Sequence, residues 1–165
     1  MKAARRTATA PVTREQVIAA EVLARAAAVE ALRAVQLPDA ADALAADAPD
    51  AWYAAERAVI AAQASLRGSL SAYEDDRSAR WHAIPDDDYR DDARRDLREE
   101  GGRALGLYLS LVRRLDAARS ALSKLSGVQS ILRDPSSEHS AHWYAVAIGY
   151  AECARESARH AAGLP

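Results

Sequence analysis

The chain has 165 residues, with 22 basic and 24 acidic side chains, a formal charge of −2, and half of its residues apolar. That length suits one domain, and the apolar share excludes wholesale disorder. A single cysteine, Cys153, excludes a disulfide framework and a cysteine-based zinc site, and its small apolar neighbours predict a buried thiol.

There are 41 alanines, 20 arginines, 2 lysines and no phenylalanine, with Val, Ile and Thr sparse. Good helix formers dominate, so the predicted class is all-α. No stretch approaches the roughly 18 apolar residues of a membrane span. The start, Met1-Lys2-Ala3-Ala4-Arg5-Arg6, lacks the apolar segment an export signal needs, which predicts a cytoplasmic location.

Residues 1–12 read as a basic disordered tail, and 13–165 as a single helical-bundle domain. A first helix begins at the capping box Thr13-Arg14-Glu15-Gln16 and runs to about Gln36, before Pro38. Its apolar stripe is Ile18, Val22, Val29 and Leu32, filled in by Ala26. Residues 39–46 suit a short extra helical turn. A second long helix is expected from an Asp47 cap, with Pro49 in its first turn, to Ile84, before Pro85. Trp52, Val59, Leu66 and Tyr73 recur every seven residues there, with Glu56, Gln63, Leu70 and Arg77 interleaved, a heptad seam whose second set is partly polar.

A third long helix is expected from Asp86-Asp87-Asp88, acids that suit a helix N-terminus, to a left-handed cap at Gly127. Its seam is Leu97, Gly101, Ala104, Tyr108, Leu111, Leu115, Ala118, Leu122 and Leu125, and Gly101-Gly102 leaves continuity open. A last helix, capped by Ser136 or Ser137, turns Trp143, Val146, Tyr150 and Cys153 inward and ends at Gly163. The expected fold is an antiparallel helical bundle of four main helices with a long, charged, coiled-coil-like central hairpin. Residues 73–100 would form its projecting arm, because the outer helices are too short to cover it.

Charge is uneven: residues 1–14 carry +4, residues 37–100 carry −8, and residues 101–165 carry +3. The arm combines Tyr73, Trp81 and Tyr89 with Asp86, Asp87, Asp88, Asp91 and Asp92, and aromatic anchors ringed by charge suit a docking surface for another protein, a basic one by charge. Acid-before-base pairs at i,i+4 (Asp76–Arg80, Asp86–Arg90, Asp91–Arg95, Glu99–Arg103) account for much of the charge without a partner. A second apolar row, Leu105, Leu109 and Val112, makes a second copy of the chain a candidate partner.

A non-enzymatic interaction or assembly module, with no cofactor, is the leading expectation. The alternative is a divalent-metal protein or metal-dependent enzyme, with Glu56, Glu138, His139 and His142 converging near Trp52 and Trp143. No Glu-x-x-His pair of the ferritin type supports it. Nucleic-acid association would rest on the basic tail, whose four charges against an acidic body give only weak, salt-sensitive affinity.

Overall fold

A computed structural model of the chain describes residues 12–134 and 141–164. They form five helices: α1 (Arg14–Ala34), α2 (Pro38–Ala45), α3 (Ala51–His82), α4 (Arg90–Arg133) and α5 (Ala141–Ala161). The bundle is all-helical, as the composition predicts. Residues 1–11 of the expected tail and the Ser136/Ser137 cap lie outside the described residues, whereas Val12, expected to belong to the disordered tail, packs against the core.

The caps explain where the helices stop. Thr13 and Gln16 form the expected reciprocal box at the start of α1. Three helices end in the same left-handed turn, at Gln36 (φ 64°), Asp47 (φ 51°) and Gly163 (φ 76°). In each, the following N–H reaches back to a carbonyl five residues earlier: Leu37 to Leu32, Ala48 to Ala43, and Leu164 to Arg159.

Asp47 therefore closes α2 and does not open α3, and its carboxylate pairs with Arg25 of α1. α3 starts instead after Asp50, another left-handed aspartate (φ 58°). α4 likewise begins at Arg90 and not in the aspartate triplet. There Asp87 Oδ1 accepts a hydrogen bond from the Tyr89 N–H at 3.0 Å, a turn that competes with helix. α4 is one continuous helix of 44 residues through both Gly101-Gly102 and Gly127.

Side-chain bonds fix the register. Glu21 of α1 meets Gln129 of α4 at 2.9 Å, Ser157 of α5 meets Ser120 at 3.1 Å, and Gln63 of α3 meets Asp116 at 2.7 Å. Together with Ala34–Arg114, Ala161–Arg114 and Trp52–Leu122, these make α1, α3 and α5 all antiparallel to α4. The short α2 supplies the reversal that lets α1 and α3 run the same way. α4 is thus the central helix. α1 packs directly on α5, and α2 fills the gap between α1 and α3.

Arg114 ties this arrangement together. Its Nε donates to the carbonyl of Ala161 at 2.7 Å, and its NH2 donates to that of Ala34 at 2.6 Å. These are the last residues of α5 and α1. One guanidinium thus satisfies a terminal carbonyl on each helix and sits at two negative dipole ends.

The core is built from alanine. Ala20, Ala24, Ala27, Ala28 and Ala31 of α1 face Ala147, Ala151, Ala154, Ala158 and Ala161 of α5, all buried, with Leu32, Leu122, Leu125, Val17, Val59 and Val128 as the largest fully buried side chains. This corrects the expected faces of the two outer helices. Ile18 and Val22 are 49 % and 59 % exposed, because α2 covers the stripe they share with Val29 and Leu32 only along its second half. Ala26 is exposed as well. On α5 the buried row is Tyr144 and the alanines, so Trp143 and Cys153 are exposed. Small side chains let helix backbones approach closely, and that contact outweighs covering the larger residues. The seam positions of α3 and α4 do turn inward as the heptads predict.

Gly127 is needed for such an approach: a Cβ there would stand 2.7 Å from two carbons of the Tyr150 ring, whereas at Gly102 it would meet nothing within 4 Å. Gly127→Ala is expected to destabilise by about 1–3 kcal/mol through overpacking, while Gly102→Ala stabilises by about 0.5–1 kcal/mol through helix propensity, both read by urea unfolding. Arg114→Met removes two charge-assisted hydrogen bonds at a half-buried site, and a loss of about 2–4 kcal/mol is expected in the same assay.

Candidate functional site

α1 and α5 both end at the level of Arg114, but α3 and α4 continue to the turn at 83–89. From Arg114 to Arg90, α4 advances about 36 Å at ~1.5 Å per residue. In this part Leu97 is the buried apolar residue, and it stands apart from the main core. The segment 73–100 holds eleven carboxylates and six arginines, a balance of −5.

Polar contacts close the seam there. The Tyr73 hydroxyl donates to Glu100 Oε1 at 3.0 Å, and Arg80 reaches both oxygens of Glu100, at 2.6 and 3.2 Å, while its Nε lies 3.0 Å from Asp76. Arg80, with help from the Tyr73 hydroxyl, holds the Glu100 carboxyl below the usual carboxylate range. Loss of solvation and the bond to Glu100 push the Tyr73 phenol up. Trp81 lies between the helices, with the guanidinium carbons of Arg94 and Arg98 at 5.2 and 5.4 Å from its ring centre.

The three aromatics therefore separate. Tyr73 and Trp81 are half-buried and join α3 to α4, whereas Tyr89, at the tip, is 76 % exposed. Around it, Asp86 pairs with Arg90, Asp87 holds the Tyr89 N–H, and Asp92 pairs with Arg95 at 2.8 Å. Asp88 and Asp91 are exposed, with no ion pair among the described residues. Of the expected i,i+4 pairs, Asp76–Arg80, Asp86–Arg90 and Glu99–Arg103 (3.9 Å) form, and Arg95 takes Asp92 in place of Asp91. Sequence reading missed the Tyr73–Glu100–Arg80 cluster, although Tyr73 in the seam was its available signal.

The residues of the metal expectation are not brought together where they are described. Glu56 lies 3.4 Å from Arg119, and His142 sits edge-on to Trp143 with ring centres 5.4 Å apart. Glu56 stands level with Arg119, eight residues from Gly127, and Tyr150 against Gly127 stands eight residues from His142. At ~1.5 Å per residue this places Glu56 and His142 about 24 Å apart along the bundle. Glu138 and His139 lie outside the described residues. Among the described residues, no three His, Cys, Asp or Glu side chains are grouped to hold a metal ion, and no helix is long and apolar enough to cross a membrane.

No protein-family model, curated protein or solved structure matches the chain.

The pKa of Glu100 predicts how the hairpin responds to acid. Because the folded value lies below the unfolded one, the pairing contributes fully above the ordinary carboxylate range, near ~4.3, and is lost as pH falls through the lowered value. Amide protection factors in residues 73–100, taken relative to the intrinsic exchange rate at each pH, are expected to fall below that range in the wild type. Glu100→Gln should show faster exchange at neutral pH and a smaller acid response.

Proposed function

We propose that the protein is a non-enzymatic interaction module that docks a basic protein partner through the tip of the α3–α4 arm. The observation that carries this reading is the state of Tyr89. It is exposed amid Asp86, Asp87, Asp88, Asp91 and Asp92, while Tyr73 and Trp81 are used inside the hairpin. An aromatic ring amid carboxylates offers a desolvating anchor with a charged surround. The negative field of the arm would speed encounter with a cationic surface and would weaken with salt. Two aspartates without ion pairs leave charge for a partner to neutralise.

Self-association is a second reading, supported by exposed Leu105, Leu107 and Leu109 on the stretch of α4 beyond the end of α5. Both readings meet one experiment. Pull-downs from the native host would compare the wild type with Tyr89→Ala, with Asp88→Asn/Asp91→Asn, and with Leu105→Ser/Leu109→Ser. A stoichiometric basic partner, bound roughly tenfold or more weakly after either tip change, is the expected result. Recovery of the chain's own copies alone, lost with the leucine changes, would replace tip docking by self-association.

A further inference from the structure

Two opposite charges on α4 stand exposed without an ion pair among the described residues, Asp91 near the tip of the arm and Arg113 at its base. They lie eleven residues to either side of Gly102. Eleven residues make close to three helical turns, so all three positions share one face of α4. Each charge is about 16 Å from the glycine, at ~1.5 Å per residue. The neighbouring charges are already engaged: Arg95 with Asp92, Glu99 with Arg103, and Arg98 on the Trp81 ring.

That spacing makes the face complementary to itself. A two-fold axis through Gly102 sets α4 of a second copy antiparallel, and brings Asp91 of each copy level with Arg113 of the other. The centre is open to such an approach, since a Cβ on Gly102 or Gly106 would meet nothing within 4 Å. Leu105 and Leu109, 46 % and 43 % exposed, flank the glycines and supply apolar surface to bury. The level of Arg113 is also where α5 stops. An open crevice of about 720 Å³ lies in that step, lined by Leu109, Arg113, His160 and Leu164 among others, with no carboxylate among its described lining residues. Arg114 also reaches it but is committed to the two helix ends, which leaves Arg113 as the cation free to meet an acidic tip.

We propose that the basic partner of the arm tip is a second copy of this chain, in a symmetric dimer with α4 antiparallel to α4 about Gly102. The inference rests on the tip docking proposed above and names its partner. It joins the acidic tip and the exposed leucines into one surface. The two Asp91–Arg113 pairs lie at the rim and chiefly set the register, while the leucines and the close backbone contact supply the affinity.

The test is sedimentation equilibrium of the full chain over a range of concentrations, in reducing buffer so that Cys153 stays a thiol. A mass rising from one chain towards two is expected. Asp91→Arg and Arg113→Asp each set like charges opposite one another at both ends, and each should weaken the dimer roughly tenfold or more. Mixing those two variants should restore association, because every end then meets its opposite. Gly102→Leu, which meets nothing inside its own chain, should weaken the dimer with the circular dichroism unchanged. In the pull-downs, the chain's own copies should be lost with the tip changes as well as with the leucine changes. A mass of one chain at every concentration, single charge changes without effect, or a mixture that stays monomeric would overturn the proposal. A monomeric chain that still captures a different basic protein through Tyr89 would leave tip docking standing and remove the second copy as its partner.

Discussion

Arg114 sets the level at which the bundle stops. Its guanidinium binds the final carbonyls of α1 and α5 at once, so two helices far apart in sequence end side by side on α4. Each of those helix ends carries a partial negative charge, and placing both together without a cation would be unfavourable. With the cation present, the two C-termini form one boundary. Everything beyond it on α4 has α3 as its main neighbour, and the arm exists because that boundary falls so early along a helix of 44 residues.

The two sides of the boundary are held by different forces. Above it, alanine faces bring α1, α4 and α5 close together, and the stabilisation is burial and dispersion over many small contacts. Below it, Leu97 provides the buried apolar surface, and the hairpin relies on Tyr73, Glu100 and Arg80 and on arginines stacked on Trp81. Such contacts respond to pH and salt, whereas alanine packing does not. The arm can therefore open while the bundle stays folded, as local units of low apolar content do. The docking proposed for the arm would gain from that separation, since adjusting the arm leaves the core untouched.

Much of the fold is legible in the residues. The capping box at Thr13, the heptads of α3 and the unbroken 3–4 spacing on α4 each point to one structure, and the fold follows them. The errors have a common origin. On α1 and α5 the largest apolar residues suggest the inner face, but alanine is the better contact residue where backbones nearly touch, so Ile18, Val22, Trp143 and Cys153 lie outward. Gly127 reads as a terminator in one dimension and proves to be the notch for Tyr150. Asp47 reads as a helix start because aspartate caps helices, yet its left-handed backbone and its pairing with Arg25 make it an end. At the arm, composition singles out the acidic and aromatic residues as a group. Which aromatic stays exposed depends on partners across the hairpin, and spacing along one strand of sequence does not carry that information.

The seam of α3 repeats every seven residues, and α4 runs past it without a break. Heptads are interchangeable units: removing or adding seven residues in both helices restores the same faces opposite each other. Each such change alters the distance from Arg114 to Tyr89 by about 10 Å, at ~1.5 Å per residue. The alanine core and its shared helix boundary stay as they are. Reach is thus a separate variable in this architecture, open to stepwise lengthening or shortening by insertions and deletions that the folded core does not oppose.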